Sequence, residues 1–178
     1  AREVILPARA GERYGVEVTD GVAAPSPNWF RVSDLPNAAA LKTEPTPAKA
    51  PKVALAVPFA FDGVLTTAGE AAFFKFVAKK DDNLDFQVYA RRLGSPLDSV
   101  LSVLDAKGKT LGSNDDAAGN PDSAVRVKIP EDGDYVVRVA DQLGRGGPTF
   151  AYRVEIRAVR PSVVLSIPDT ARYDYETR

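Results

Sequence analysis

The chain of 178 residues has no cysteine, no histidine, no methionine and one tryptophan. Without cysteine there are no disulfides and no thiolate chemistry. Without histidine the usual general base of serine and cysteine hydrolases is missing, and so is the commonest ligand of zinc and copper. The absence of methionine leads us to expect a processed product or an excised fragment. No apolar run is long enough for a membrane helix, and residue 1 does not open a signal peptide. No segment shows helical periodicity with caps. Neither a P-loop nor a GxGxxG after a strand is present. The formal net charge of −1 supplies no general attraction to nucleic acid or anionic membrane, so neither partner is expected.

Apolar residues make up 44% of the chain, enough to exclude disorder throughout. A domain of this length buries about 70% of its unfolded surface. From Val53 onward, short runs of alternating apolar residues recur between Gly, Pro and Asp turns. Runs at 53–57, 61–65, 73–78, 84–91, 100–105, 125–129, 135–139 and 152–156 read as strands. This is the pattern of an all-β antiparallel sandwich, jelly-roll-like, with short extra β segments at both ends. Alternation assigns Phe74, Phe76, Phe86, Val88, Val103, Val127, Val137, Val139 and Val154 to the space between the sheets.

Residues 1–41 read as a partial β segment of a preceding module, with an immunoglobulin-like fold as one option. Its strand candidates are 4–6, 14–18 and 29–32. Residues 42–52 contain three prolines and are expected to be an extended linker. The sandwich spans 53–158. The extension 159–178 includes a strand candidate at 163–167. It is expected either to open a following module or to pair with the N-terminal piece.

The most chemically loaded stretch is the acidic loop at 113–123. Asp115, Asp116 and Asp122 carry charge, Asn114 and Asn120 carry amide oxygens, and Asp98 stands on a neighbouring connection. Calcium takes six to eight oxygens from such donors. The spacing is not that of an EF-hand. Two readings stand: a calcium site, or a turn in which Asp116 or Asp122 braces main-chain N–H groups. Arg91 and Arg92 offer an anion site or pairing with nearby carboxylates. Arg145 reads as a hairpin-loop residue. Trp29 reads as a core or docking residue, or as a sugar-stacking platform.

Residues 53–157 resemble the bacterial pre-peptidase C-terminal domain. The matching motifs are Phe61-Asp62-Gly63-Val64-Leu65, Gly69 with Phe73-Phe74-Lys75-Phe76, Leu97-Asp98 and Val103-Leu104-Asp105-Ala106-Lys107-Gly108. They continue with Asn114-Asp115-Asp116, Asp122-Ser123, Asp132-Gly133-Asp134-Tyr135 and Tyr152-Arg153-Val154. Glu70-Ala71-Ala72 departs from the family pattern before the aromatic strand. The stretches 28–36 and 90–99 look like a version found in large exported proteins of Planctomycetes-type bacteria. The resemblance implies a β-sandwich accessory module on secreted or cell-surface proteins, often beside peptidases, with no catalysis of its own. Relatives include collagen-binding modules, some of which bind calcium. The implied partners are neighbouring domains of the parent protein. The alternative is recognition of an extracellular polysaccharide or fibrous protein, with Tyr89, Tyr135 and Tyr152 as contacts if they point outward.

Overall fold

The computed structural model describes residues 5, 7–9, 11–17, 27–38, 46–117 and 119–159. Strand candidates 4–6 and 163–167, the whole 159–178 extension past Val159 and the first part of the expected linker lie outside them.

Two four-stranded antiparallel sheets form the sandwich. One has the order β3 (Phe59–Val64), β10 (Ala151–Ala158), β5 (Asn83–Tyr89), β8 (Ala124–Lys128). The other has the order β4 (Ala71–Ala78), β9 (Gly133–Asp141), β6 (Ser99–Asp105), β7 (Thr110–Asn114). A separate hairpin pairs β1 (Gly11–Val16) with β2 (Asn28–Val32).

The expected core is found. All nine residues assigned to it are buried in one cluster between the sheets. Phe76 sits at its centre, with ring centroids of Phe59, Phe86 and Tyr135 at 6.4, 5.6 and 5.9 Å. The alternation is strict where one face of a strand must be dry, which is why the register could be read from the sequence.

Sequence reading missed β7. Its residues, Thr110-Leu111-Gly112-Ser113-Asn114, carry little apolar patterning because β7 is an edge strand. Gly112 is what the position requires. A Cβ there would meet the side chains of Val125 and Val127 at 2.8 and 3.0 Å, so the two sheets close on each other at this side only over a glycine. On the opposite side the edges of β3 and β4 are each covered by preceding chain. Ala38 N–H donates to the Ala60 carbonyl and Ala60 N–H to the Pro36 carbonyl. Val53 N–H donates to the Lys75 carbonyl and Lys75 N–H to the Pro51 carbonyl. Each strap pairs one residue of its edge strand and so interrupts the row of open backbone groups there.

These straps correct two expectations. Residues 53–57 are not a strand of their own, since Val53 is already part of the strap. The described part of the linker is not an extended spacer either. It makes a 3₁₀ turn at Pro47–Lys49, buries Ala50 against Phe73 and Val136, and ties Lys52 Nζ to Asp134 at 2.6 Å.

Candidate functional site

The acidic loop joins β7 to β8 and therefore crosses from one sheet to the other. Its C-terminal end is pinned. Ser123 N–H donates to Ser99 Oγ at 3.0 Å, and Val88 N–H donates to the Ser123 carbonyl at 2.9 Å. Asp122 is completely buried. It accepts from Arg91 N–H at 2.7 Å, Arg92 N–H at 3.3 Å and Arg92 Nε at 2.9 Å. The guanidinium of Arg92 in turn lies over the Tyr89 ring at 4.2 Å. Asp122 thus binds main-chain N–H groups, but those of the turn at Arg91–Leu93 rather than of its own loop.

The other candidates take separate roles. Asp98 pairs with Arg91 at 3.2 Å. Asp115 and Asp116 are exposed, and Asp116 N–H donates to Asp115 Oδ1. Asn120 Oδ1 accepts from Asp122 N–H. The Asn114 Oδ1 atom is buried and has no partner among the described residues. Among the described residues no three acidic groups converge to hold a metal. Calcium needs several carboxylate or carbonyl oxygens at one point, and here the most buried carboxylate is already filled by an arginine and two main-chain donors. Among the described residues, the six proposed calcium donors do not meet at one point. We therefore expect melting midpoints in millimolar calcium and in chelator to agree within about 2 °C. A specific ion at a hundredfold excess over its Kd would raise the midpoint by roughly 5–10 °C; a calorimetric scan in the two buffers checks this.

Two buried carboxylates that sequence reading did not single out carry more of the electrostatics. Asp141, at the end of β9, accepts from Asp98, Leu143 and Arg145 N–H groups and from both Nε and Nη2 of Arg145. Burial pushes its pKa up, but these donors outweigh it and hold the group at about 2. Arg145, read as a simple loop residue, is the clamp of this connection. The second carboxylate is Glu155, on the outer face of the β3-β10-β5-β8 sheet. Arg31 of the hairpin reaches it with Nε at 2.8 Å and Nη2 at 3.0 Å. Arg153 and Arg157 flank it on the same strand at 3.0 and 3.3 Å. Burial again works against the charge, and hydrogen bonds from Arg31 and Arg153 overcome it, so Glu155 is held at about 2. The alternating Arg153-Val154-Glu155-Ile156-Arg157 was a local sign of a charged outward stripe. Its partner lies 124 residues away and left no local mark.

The tyrosines expected as polymer contacts are all buried. Tyr89 has the guanidinium of Arg31 at 4.1 Å and that of Arg92 at 4.2 Å. Tyr135 Oη donates to the Glu131 carbonyl at 2.6 Å. Tyr152 faces the core, packed edge-on to Phe61. Tyr135 and Tyr152 continue the inward register of their strands, whereas Tyr89 lies on the outer face and is buried because Arg31 and Arg92 roof it.

Between the hairpin and the sandwich lies a cleft of about 1140 Å³. Trp29 and Arg31 line it from β2, Asp62 and Glu70 from the sheet side, and Leu93 and Ser95 from the turn after β5.

Comparison with known proteins adds to this geometry. Residues 70–141 match the model of the bacterial pre-peptidase C-terminal domain. A probable subtilase-type serine protease of Deinococcus radiodurans is 46% identical over 69 residues, which is 38% of this chain and 9% of that protein. The chain thus spans less than a tenth of that relative's length. Among solved structures, the periplasmic inhibitor of g-type lysozyme from Aeromonas hydrophila aligns over 61% of this chain and 94% of its own, with TM-score 0.47 and 17% identity. The pre-peptidase C-terminal domain of a Bacillus anthracis collagenase aligns over 61% of this chain and 95% of its own, with TM-score 0.44 and 13% identity.

Proposed function

With a pre-peptidase C-terminal domain as its sandwich, the chain is, we propose, a non-catalytic accessory module of a larger exported protein, one that holds and stabilises adjoining parts of the polypeptide. The observation that carries this reading is the Arg31–Glu155 pair. A sheet that only capped a core would keep its outer face in water. This one places a carboxylate there, 2% exposed, and fills it with an arginine from a neighbouring β segment. A two-stranded hairpin is marginal alone, so the sandwich supplies what the hairpin lacks.

The titratable groups whose pKa is shifted take structural roles. General acid–base work near neutral pH needs a group poised near that pH. Asp141 and Glu155 are held ionised far below it by arginines, and Tyr135 is pushed up by burial. The two carboxylates are members of structural ion pairs, and the tyrosine hydroxyl is bound to the Glu131 carbonyl. No helix among the described residues is long and apolar enough to cross a membrane. Recognition of a polysaccharide or fibrous protein through an exposed aromatic sheet face gains nothing from Tyr89, Tyr135 or Tyr152. The purified chain, incubated with generic ester, glycoside and peptide substrates, is expected to give no turnover above the buffer blank. A rate that scales with protein concentration would overturn the reading.

A further inference from the structure

Going beyond the accessory role, we propose that the cleft between the β1–β2 hairpin and the sandwich is a binding site for a neutral oligosaccharide. Its size exceeds the usual range for small-ligand pockets, roughly 300–1,000 Å³, and it holds about 1140 Å³, room for several sugar rings. Its chemistry is specific in three ways.

The indole of Trp29 forms one wall, and the guanidinium of Arg13 holds that ring from 4.0 Å. A fixed aromatic wall suits the apolar face of a sugar ring. Glu70 also lines the cleft. Its Oε2 accepts from Thr66 Oγ1 and Thr67 N–H, at 3.2 and 2.9 Å, and among the described residues its Oε1 accepts from none. An oriented carboxylate with one oxygen open is an acceptor for a ligand hydroxyl. The third feature is the hydroxyl of Tyr152, buried at the wall behind Gly63 and without a hydrogen-bond partner among the described residues. That hydroxyl is closed off behind Gly63, so it marks the polar back of this wall rather than a direct ligand contact.

The arginines of the cleft decide against an anionic ligand. Arg31 is filled by Glu155 and the Gly11 carbonyl. Arg153 is filled by Glu155, Asn37 and Asp62. What remains is an aromatic wall, the open oxygen of Glu70 and hydroxyls, which is the complement of a neutral polyol rather than of a phosphate or uronate.

Trp29 is the chain's only tryptophan, so its fluorescence reports on this cleft. The whole chain is titrated with cellohexaose, chitohexaose and maltohexaose, with oligogalacturonate as the charged comparison. At least one neutral hexamer is expected to change the emission saturably, and oligogalacturonate is expected not to. By calorimetry, Glu70→Gln should weaken that binding about tenfold, equivalent to about 1.4 kcal/mol, and Trp29→Ala at least as much. Both variants should melt close to the parent chain, because neither residue is in the core. The proposal fails if none of the three hexamers saturates up to about 10 mM, a concentration beyond which binding is weaker than about 3 kcal/mol. It also fails if Glu70→Gln binds as the parent does, or if the charged oligomer binds instead. None of these outcomes bears on the absence of turnover, which is tested separately.

Discussion

Phe76→Ala should destabilise the chain by about 3–5 kcal/mol, the largest effect we expect from any single substitution. The ring is fully buried and touches Phe59, Phe86 and Tyr135, which come from β3, β5 and β9. Truncating it removes the transfer energy of the ring and leaves a cavity bounded by both sheets. The sheets cannot collapse into that space, because their spacing is fixed elsewhere by Gly112 against Val125 and Val127. The next residue on the strand is the control. Val77 is 49% exposed, so Val77→Ala should change stability by no more than about 0.5 kcal/mol. Urea unfolding of the two variants measures the contrast. Equal losses would mean that the register of β4 is wrong by one residue, since a one-residue slip exchanges the faces.

Glu155→Ala should cost about 3 kcal/mol, at the low end of what breaking a buried ion pair costs. Removing the carboxylate takes away the acceptor that Arg31, Arg153 and Arg157 share, and leaves Arg153 with the exposed Asp62 and Arg157 with the exposed Asp34. The figure sits at the low end because Arg157 is 37% exposed and can turn to solvent. The same carboxylate sets the response to acid. Its pKa in the folded chain is below its ordinary value, so its contribution is fully present above the ordinary 4.5 and is lost as pH falls toward about 2. Asp141 behaves in the same way between 3.8 and about 2. Each contributes about 2–3 kcal/mol across that window. Stability should therefore be flat from pH 7 to about 5 and then fall steeply. In Glu155→Gln the fall should be shallower by one group's share, which pH-dependent denaturation would show.

What could be read from the sequence was what leaves a local periodic mark. The inward residues of β4, β5, β9 and β10 alternate because one side of each strand is dry, and all of the assigned core residues lie where that pattern put them. β7 was missed because an edge strand built around Gly112 needs few apolar residues. The stretch 42–52 was read as a spacer because its prolines signal extension, and the attachment of its described part to Lys75 depends on a strand more than twenty residues later. The acidic loop was correctly placed between strands. The role of Asp122 was open because a carboxylate that binds an ion and one that binds main-chain N–H groups use the same residue types in the same kind of turn. The Arg31–Glu155 and Arg145–Asp141 pairs were not singled out. Their meaning comes from burial, and a charged residue in a single sequence does not reveal that it will be buried.

The central claim is that the outer face of the β3-β10-β5-β8 sheet holds the β1–β2 hairpin through Glu155. Amide hydrogen exchange of the parent chain and of Glu155→Gln tests it most directly, because exchange resolves the hairpin from the sandwich. The account predicts protected amides in Gly11–Val16 and Asn28–Val32 of the parent. In Glu155→Gln these amides should exchange at least about tenfold faster, while the amides of β5 and β9 remain slow. Hairpin amides that are unprotected in the parent, or equally protected in both chains, would contradict it.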